Sequence, residues 1–209
     1  MFFLALTIAF DVVAIESDLL EIAAINRFID GDFNTASLER SDHRQQIVNV
    51  VGFALLAVTA IAFIWWFHAA YRNSAARGTW KLRFTSRWAI GAWFVPILAF
   101  WRPKQIADDI WRASEPRAPR VDEQEAYPAK AVYLLNLWWC FWLLGTFVGN
   151  AAVRALIKAG TPNDYLRSDK MDIAALAANL VAAALAIQIV RQVTIRQATW
   201  SQAEAARTV

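Results

Sequence analysis

The sequence predicts an all-α integral membrane bundle of four transmembrane helices, with a re-entrant helical hairpin and a short interfacial amphipathic helix between the second and third spans. Three observations carry this. The composition is 58% hydrophobic with eleven Trp and thirteen Phe, more than a soluble core of this size needs. Several apolar runs reach the roughly 17–25 residues that a bilayer-crossing helix requires. One further run, WAIGAWFVPILAFW from Trp88 to Trp101, is oily but too short to cross. The chain reads as one transmembrane domain over 1–209.

The first span is expected at about 2–25. It is apolar at its start, then interrupted by Asp11 and Glu16. It lacks the basic n-region and small-residue cleavage site of a signal peptide, so it reads as a retained anchor. Asp11 is the deepest acid. An acid at membrane depth raises the prospect of a proton relay or cation site, although Asp18, seven residues on, allows both to belong to a wet acidic stripe. The second span, about 47–71, is the unbroken run VVGFALLAVTAIAFIWWF closed by His68, Tyr71 and Arg72.

Trp88–Trp101 is expected to dip into the lipid and return to the same face. Arg83 and Arg87 precede it, Arg102 and Lys104 follow it, and Pro96 at its middle removes a helical hydrogen bond. Trp88, Pro96, Trp101, Arg102 and Pro103 define this re-entrant motif. Pro103 suits a first helical turn, so an interfacial helix is expected over 103–114. Ile106, Ile110 and Ala113 mark its apolar face, and Lys104, Asp108 and Arg112 stand at ion-pairing spacing on another. A polar, Pro-rich cytoplasmic linker follows at 114–128. The third span, about 131–153, is aromatic. The fourth, about 172–190, is Ala-rich and closed by Arg191.

Orientation follows from the basic residues. Fourteen of the 21 Lys and Arg fall after the second span, around the dip and in the C-terminal tail. The first loop instead carries Glu16, Asp18, Glu21, Asp30, Asp32, Glu39 and Asp42. Both termini are therefore expected in the cytoplasm, in a bacterial cytoplasmic (inner) membrane. Trp65, Trp66, Trp80, Trp88, Trp101 and Trp111 all map to the cytoplasmic rim, where indoles prefer to sit.

Gly145 and Gly149 form a GxxxG in the third span. Ala174, Ala178, Ala182 and Ala186 form a small-residue ridge in the fourth, with Asn179 beside it. Such positions let helix backbones approach closely, within the chain or against a partner. Arg72, Arg77, Lys81, Arg83 and Arg87 are candidates for anionic lipid headgroups, and the same charges serve topology control. No catalytic set, phosphate loop or metal constellation is legible. Cys140 is the sole cysteine, and His43 and His68 lie in separate connections. No cofactor and no nucleic-acid partner is expected.

The run from Trp65 to Ser114 also carries a resemblance. Trp66 with Tyr71-Arg72-Asn73, Gly78, the RFTSRW of Arg83 to Trp88, Pro96, the WRPKQ of Trp101 to Gln105, and IWRAS together resemble the bacterial membrane family catalogued as domain of unknown function 4328. Ser86 and Ala99 depart from that pattern, where the family often has proline and asparagine. The resemblance implies the membrane architecture and brings no activity with it. The expected function is a non-catalytic interaction, assembly or accessory subunit of a larger membrane complex. The alternative is a small channel or carrier using the re-entrant segment, and a third reading is a lipid-handling enzyme using Asp11, Asp108 or Asp109.

Overall fold

The computed structural model describes residues 1–31, 35–77, 82–115 and 129–205, and among these every regular element is helical. In chain order they are α1 (Phe2–Ile29), α2 (Thr35–Arg77), α3 (Trp88–Gly91), a 3-10 turn (Leu98–Phe100), α4 (Arg102–Ala113), α5 (Ala129–Ile157) and α6 (Pro162–Ala205). Three helices are long and apolar enough to cross a membrane: Ala36–Arg77, Tyr133–Ile157 and Pro162–Gln202. Lys81 and most of the expected 114–128 linker lie outside the described residues.

The helix limits have local causes. α1 stops where Gly31 takes a φ of +101°, its N–H bonding to the Phe28 carbonyl, a left-handed cap that suits glycine. α6 opens on a reciprocal cap in which Asp164 Oδ2 accepts from the Thr161 N–H and hydroxyl, with Pro162 in the first turn. α2 starts at Thr35, well before the apolar run, and α6 extends beyond Arg191 to Ala205. Hydropathy marks where a helix suits lipid, whereas backbone hydrogen bonding carries it on through polar sequence.

The chain forms two compact units. The first comprises Met1, Ala60–Trp139 and Leu185–Val209. Its core is aromatic: Phe63, Phe67, Trp93, Trp138 and Trp139 form a chain of ring contacts with centroids 5.4–6.0 Å apart. α4 is packed deep in this unit. Ile106, Ile110 and Ala113 are buried as their spacing requires, but so are Asp109 and Trp111. It is thus more enclosed than a helix lying with one face on a surface.

The second unit comprises Phe2–Thr59 and Cys140–Ala184. α1 meets α2 through a Thr7–Thr59 hydroxyl contact of 3.0 Å and through Phe10, whose ring lies over Gly52. α5 meets α6 where Gly145 faces Asn179 and the Ala175 carbonyl, and Ser168 donates to the Ala152 carbonyl at 3.1 Å.

Candidate functional site

Within the first unit the Trp88–Trp101 segment is not a continuous helix. α3 gives way at Ala92 to turns running past Pro96, and the 3-10 turn Leu98–Phe100 follows. Turn bonds serve the backbone: Phe94 N–H to Gly91, Ala99 N–H to Val95, Trp101 N–H to Leu98. Pro96 sits where no N–H is needed. Ala89 and Ala92 are buried against the unit, while Phe94, Val95, Pro96 and Ile97 at the tip are exposed.

The two limbs of this segment meet. The Arg102 guanidinium lies 5.3 Å from the Trp88 ring and 4.3 Å from the Phe84 ring. A straight helix would separate residues 88 and 102 by about 21 Å. Trp139 joins both limbs as well: its ring is 6.2 Å from that of Trp93, and its Nε1 donates to the Phe100 carbonyl at 3.0 Å.

A polar latch closes the neck. Arg83 Nε donates to Asp109 Oδ1 at 2.8 Å, the Arg83 backbone N–H donates to Oδ2 at 3.2 Å, and a terminal guanidinium nitrogen donates to the Gln105 carbonyl at 2.6 Å. Asp109 is completely buried. Burial pushes its carboxyl above the ordinary carboxylate range, and Arg83 pulls it back without cancelling the effect. The Tyr71 hydroxyl donates to the Phe84 carbonyl at 2.8 Å and accepts from the Phe84 N–H at 3.1 Å. Gln197 Nε2 donates to the Ala70 carbonyl and faces the hydroxyls of Ser74 and Ser114, while its Oε1 accepts from Asn73. Lys104 pairs with Asp108 at 2.8 Å on the outer side of α4.

The residues singled out from sequence fall as follows. Trp88, Pro96, Trp101, Arg102 and Pro103 all belong to the loop and its neck. Of the basic candidates, Arg83 is committed to Asp109, Arg77 lies 4.7 Å from the Trp200 ring, and Arg72 and Arg87 are exposed. Within the second unit Gly145 meets Asn179 and Gly149 meets the Ala175 methyl, and there Ala178 and Ala182 are buried and Ala174 is exposed. Ala186 is buried in the first unit. Asp11 is buried in the second.

Sequence reasoning missed the Arg83–Asp109 pair, because 26 residues separate its members; the spacing of α4 sets Asp109 on the apolar face with Ile106 and Ala113, a signal of its burial but not of its partner. It also missed Asp169 and Asp172, which share the surroundings of Asp11 and Asp18. For those two the one available signal was a pair of acids three residues apart at the entrance to an Ala-rich run.

These features define a class: an all-helical protein with three helices able to cross a membrane and a Trp-flanked loop latched at its neck. The chain belongs to the family described as Domain of unknown function (DUF4328), whose family model matches residues 30–195. Of the motif residues quoted above, Tyr71, Arg83, Phe84, Trp88 and Arg102 meet at the neck. No curated protein and no solved structure matches the chain.

Proposed function

We propose that this protein is a non-catalytic membrane subunit that docks through bare helix surface onto another membrane complex. The observation that carries the reading is α2. Only 6% of its most apolar stretch is buried, against 39% for that of α6, and Val50, Phe53, Leu56 and Ile61 stand exposed along it. The neck supports a non-catalytic role, because Arg83, Asp109, Tyr71 and Gln197 are engaged with one another or with backbone rather than aimed at an open cleft. Photo-crosslinkers at Phe53 and Leu56, followed by purification in mild detergent, should capture one stoichiometric protein partner. A monodisperse monomer whose crosslinks reach lipid alone overturns the reading.

In the same reading α1 is a fourth span and both termini are cytoplasmic in a bacterial inner membrane. Trp88–Trp101 dips from the cytoplasmic side, and α4 sits at that interface. Arg72 and Arg87 face anionic headgroups, each worth about 1 kcal/mol near such a surface. The meeting of Arg102 with Trp88 and the exposed apolar tip support the dip, since irregular backbone at membrane depth must be covered by protein or line a cavity. With Cys140 replaced by Ser, single cysteines at Lys81 and Arg120 should be labelled from the same face. Labelling from opposite faces removes the dip.

A further inference from the structure

The second unit encloses more negative charge than it matches. Asp11 and Asp18 on α1 are 7% and 5% exposed, and Asp169 on α6 is 8% exposed. In each of the three, Oδ2 is buried without a hydrogen-bond partner. The groups lie within electrostatic reach of one another across the two helices: Asp172 repels Asp11, Asp18 and Asp169, and Glu21 repels Asp18 and Asp169. α2 contributes Asp42, which repels Glu21, together with Arg44 and Gln45. The Arg44 guanidinium donates to the Ser17 hydroxyl and carbonyl and to the Ser41 hydroxyl. Gln45 gives an amide hydrogen to Asp18 Oδ1. Among the described residues no salt bridge reaches any of these acids, in contrast to Asp109 and Asp108, which pair with Arg83 and Lys104.

An ionised carboxylate only accepts hydrogen bonds, whereas a protonated one also donates. Buried carboxyl groups gathered in a dry interior without donors are therefore reconciled when at least one of them is protonated. We propose that Asp11, Asp18, Asp169 and Asp172 form a proton-binding site in which at least one of the carboxyl groups keeps its hydrogen at neutral pH. A multidentate metal ion fits less well, since no three His, Cys, Asp or Glu among the described residues are gathered at metal-ligand spacing. The proposal goes beyond docking and does not depend on it: loss of the α2 partner leaves it standing, and its failure leaves the partner standing.

The test uses the full chain in lipid nanodiscs at pH 7, where an ordinary aspartate, with a pKa of about 3.9, is ionised. Infrared spectra with isotope-labelled aspartate should contain a protonated-carboxyl C=O band that shifts in heavy water. Asp169→Asn or Asp11→Asn should remove at least half of it, and Glu16→Gln, on the exposed side of α1, should leave it unchanged. Absence of the band in the wild-type chain overturns the proposal. So does a band that survives both Asn variants. A sodium-specific rise in thermal stability without the band, lost in the same variants, overturns it in favour of an alkali cation.

Discussion

In the first unit Asp109 is fully buried, yet both its oxygens accept from Arg83. In the second unit Asp11 and Asp169 are nearly as deeply buried, and each leaves an oxygen without a protein donor. The contrast separates two uses of a buried acid. A carboxylate saturated by a guanidinium holds elements together, because removing either partner strands the other. A buried carboxyl group with an oxygen left unsatisfied leaves room for something to be exchanged.

The comparison breaks first, and hardest, at the latch. Arg83→Ala should destabilise the protein by about 3–5 kcal/mol, since it leaves a buried carboxylate without its counter-charge. Thermal unfolding in detergent measures this, and a loss under 1 kcal/mol would remove the latch from the account. Next comes backbone contact in the second unit. Gly145→Ala drives a methyl into the Asn179 side chain and should cost about 1–3 kcal/mol, whereas Gly149→Ala, which meets only the Ala175 methyl at 3.6 Å, should cost much less. Equal costs would mean that α5 and α6 adjust freely.

Asp169→Asn sharpens the contrast from the opposite side. It removes unmatched charge and supplies an amide donor, so stability should stay within about 1 kcal/mol of wild type or rise. The pH dependence carries a definite sign. Because the Asp109 carboxyl is raised in the folded state, that state holds the proton more tightly than the unfolded chain does. Its contribution is present below the unfolded value and is lost as pH climbs through the folded one. Asp109→Asn should flatten that segment of the stability profile. The smallest effect belongs to Lys104→Ala, which removes an i,i+4 pair worth a few tenths of a kcal/mol.

Much of the architecture was legible because it is written locally. Apolar run length located the three helices able to cross a membrane, although α1, the first of the four expected spans, is not among them; Pro103 marked the start of α4 within a residue, and the GxxxG pointed to close helix contact. The Trp88–Trp101 run was recognisable by its length and flanking charges. What escaped was set by contacts distant in sequence. Nothing near Asp109 names Arg83 as its partner, and the acids of α1 that act on Asp169 lie more than a hundred residues earlier. The start of α2 at Thr35 was obscured for a different reason: SLERSDHRQQ is too polar for a hydropathy scan, yet it continues the helix without interruption.

Trp139 gives the loop a point of mechanical control. Its ring rests against Trp93 on the outgoing limb while its N–H holds a carbonyl on the returning limb. Replacing that indole with phenylalanine would keep the greasy contact and delete the tether, freeing one strand of the finger while the other stays clamped. The tip from Phe94 to Ile97 can then be loosened without touching a residue within it.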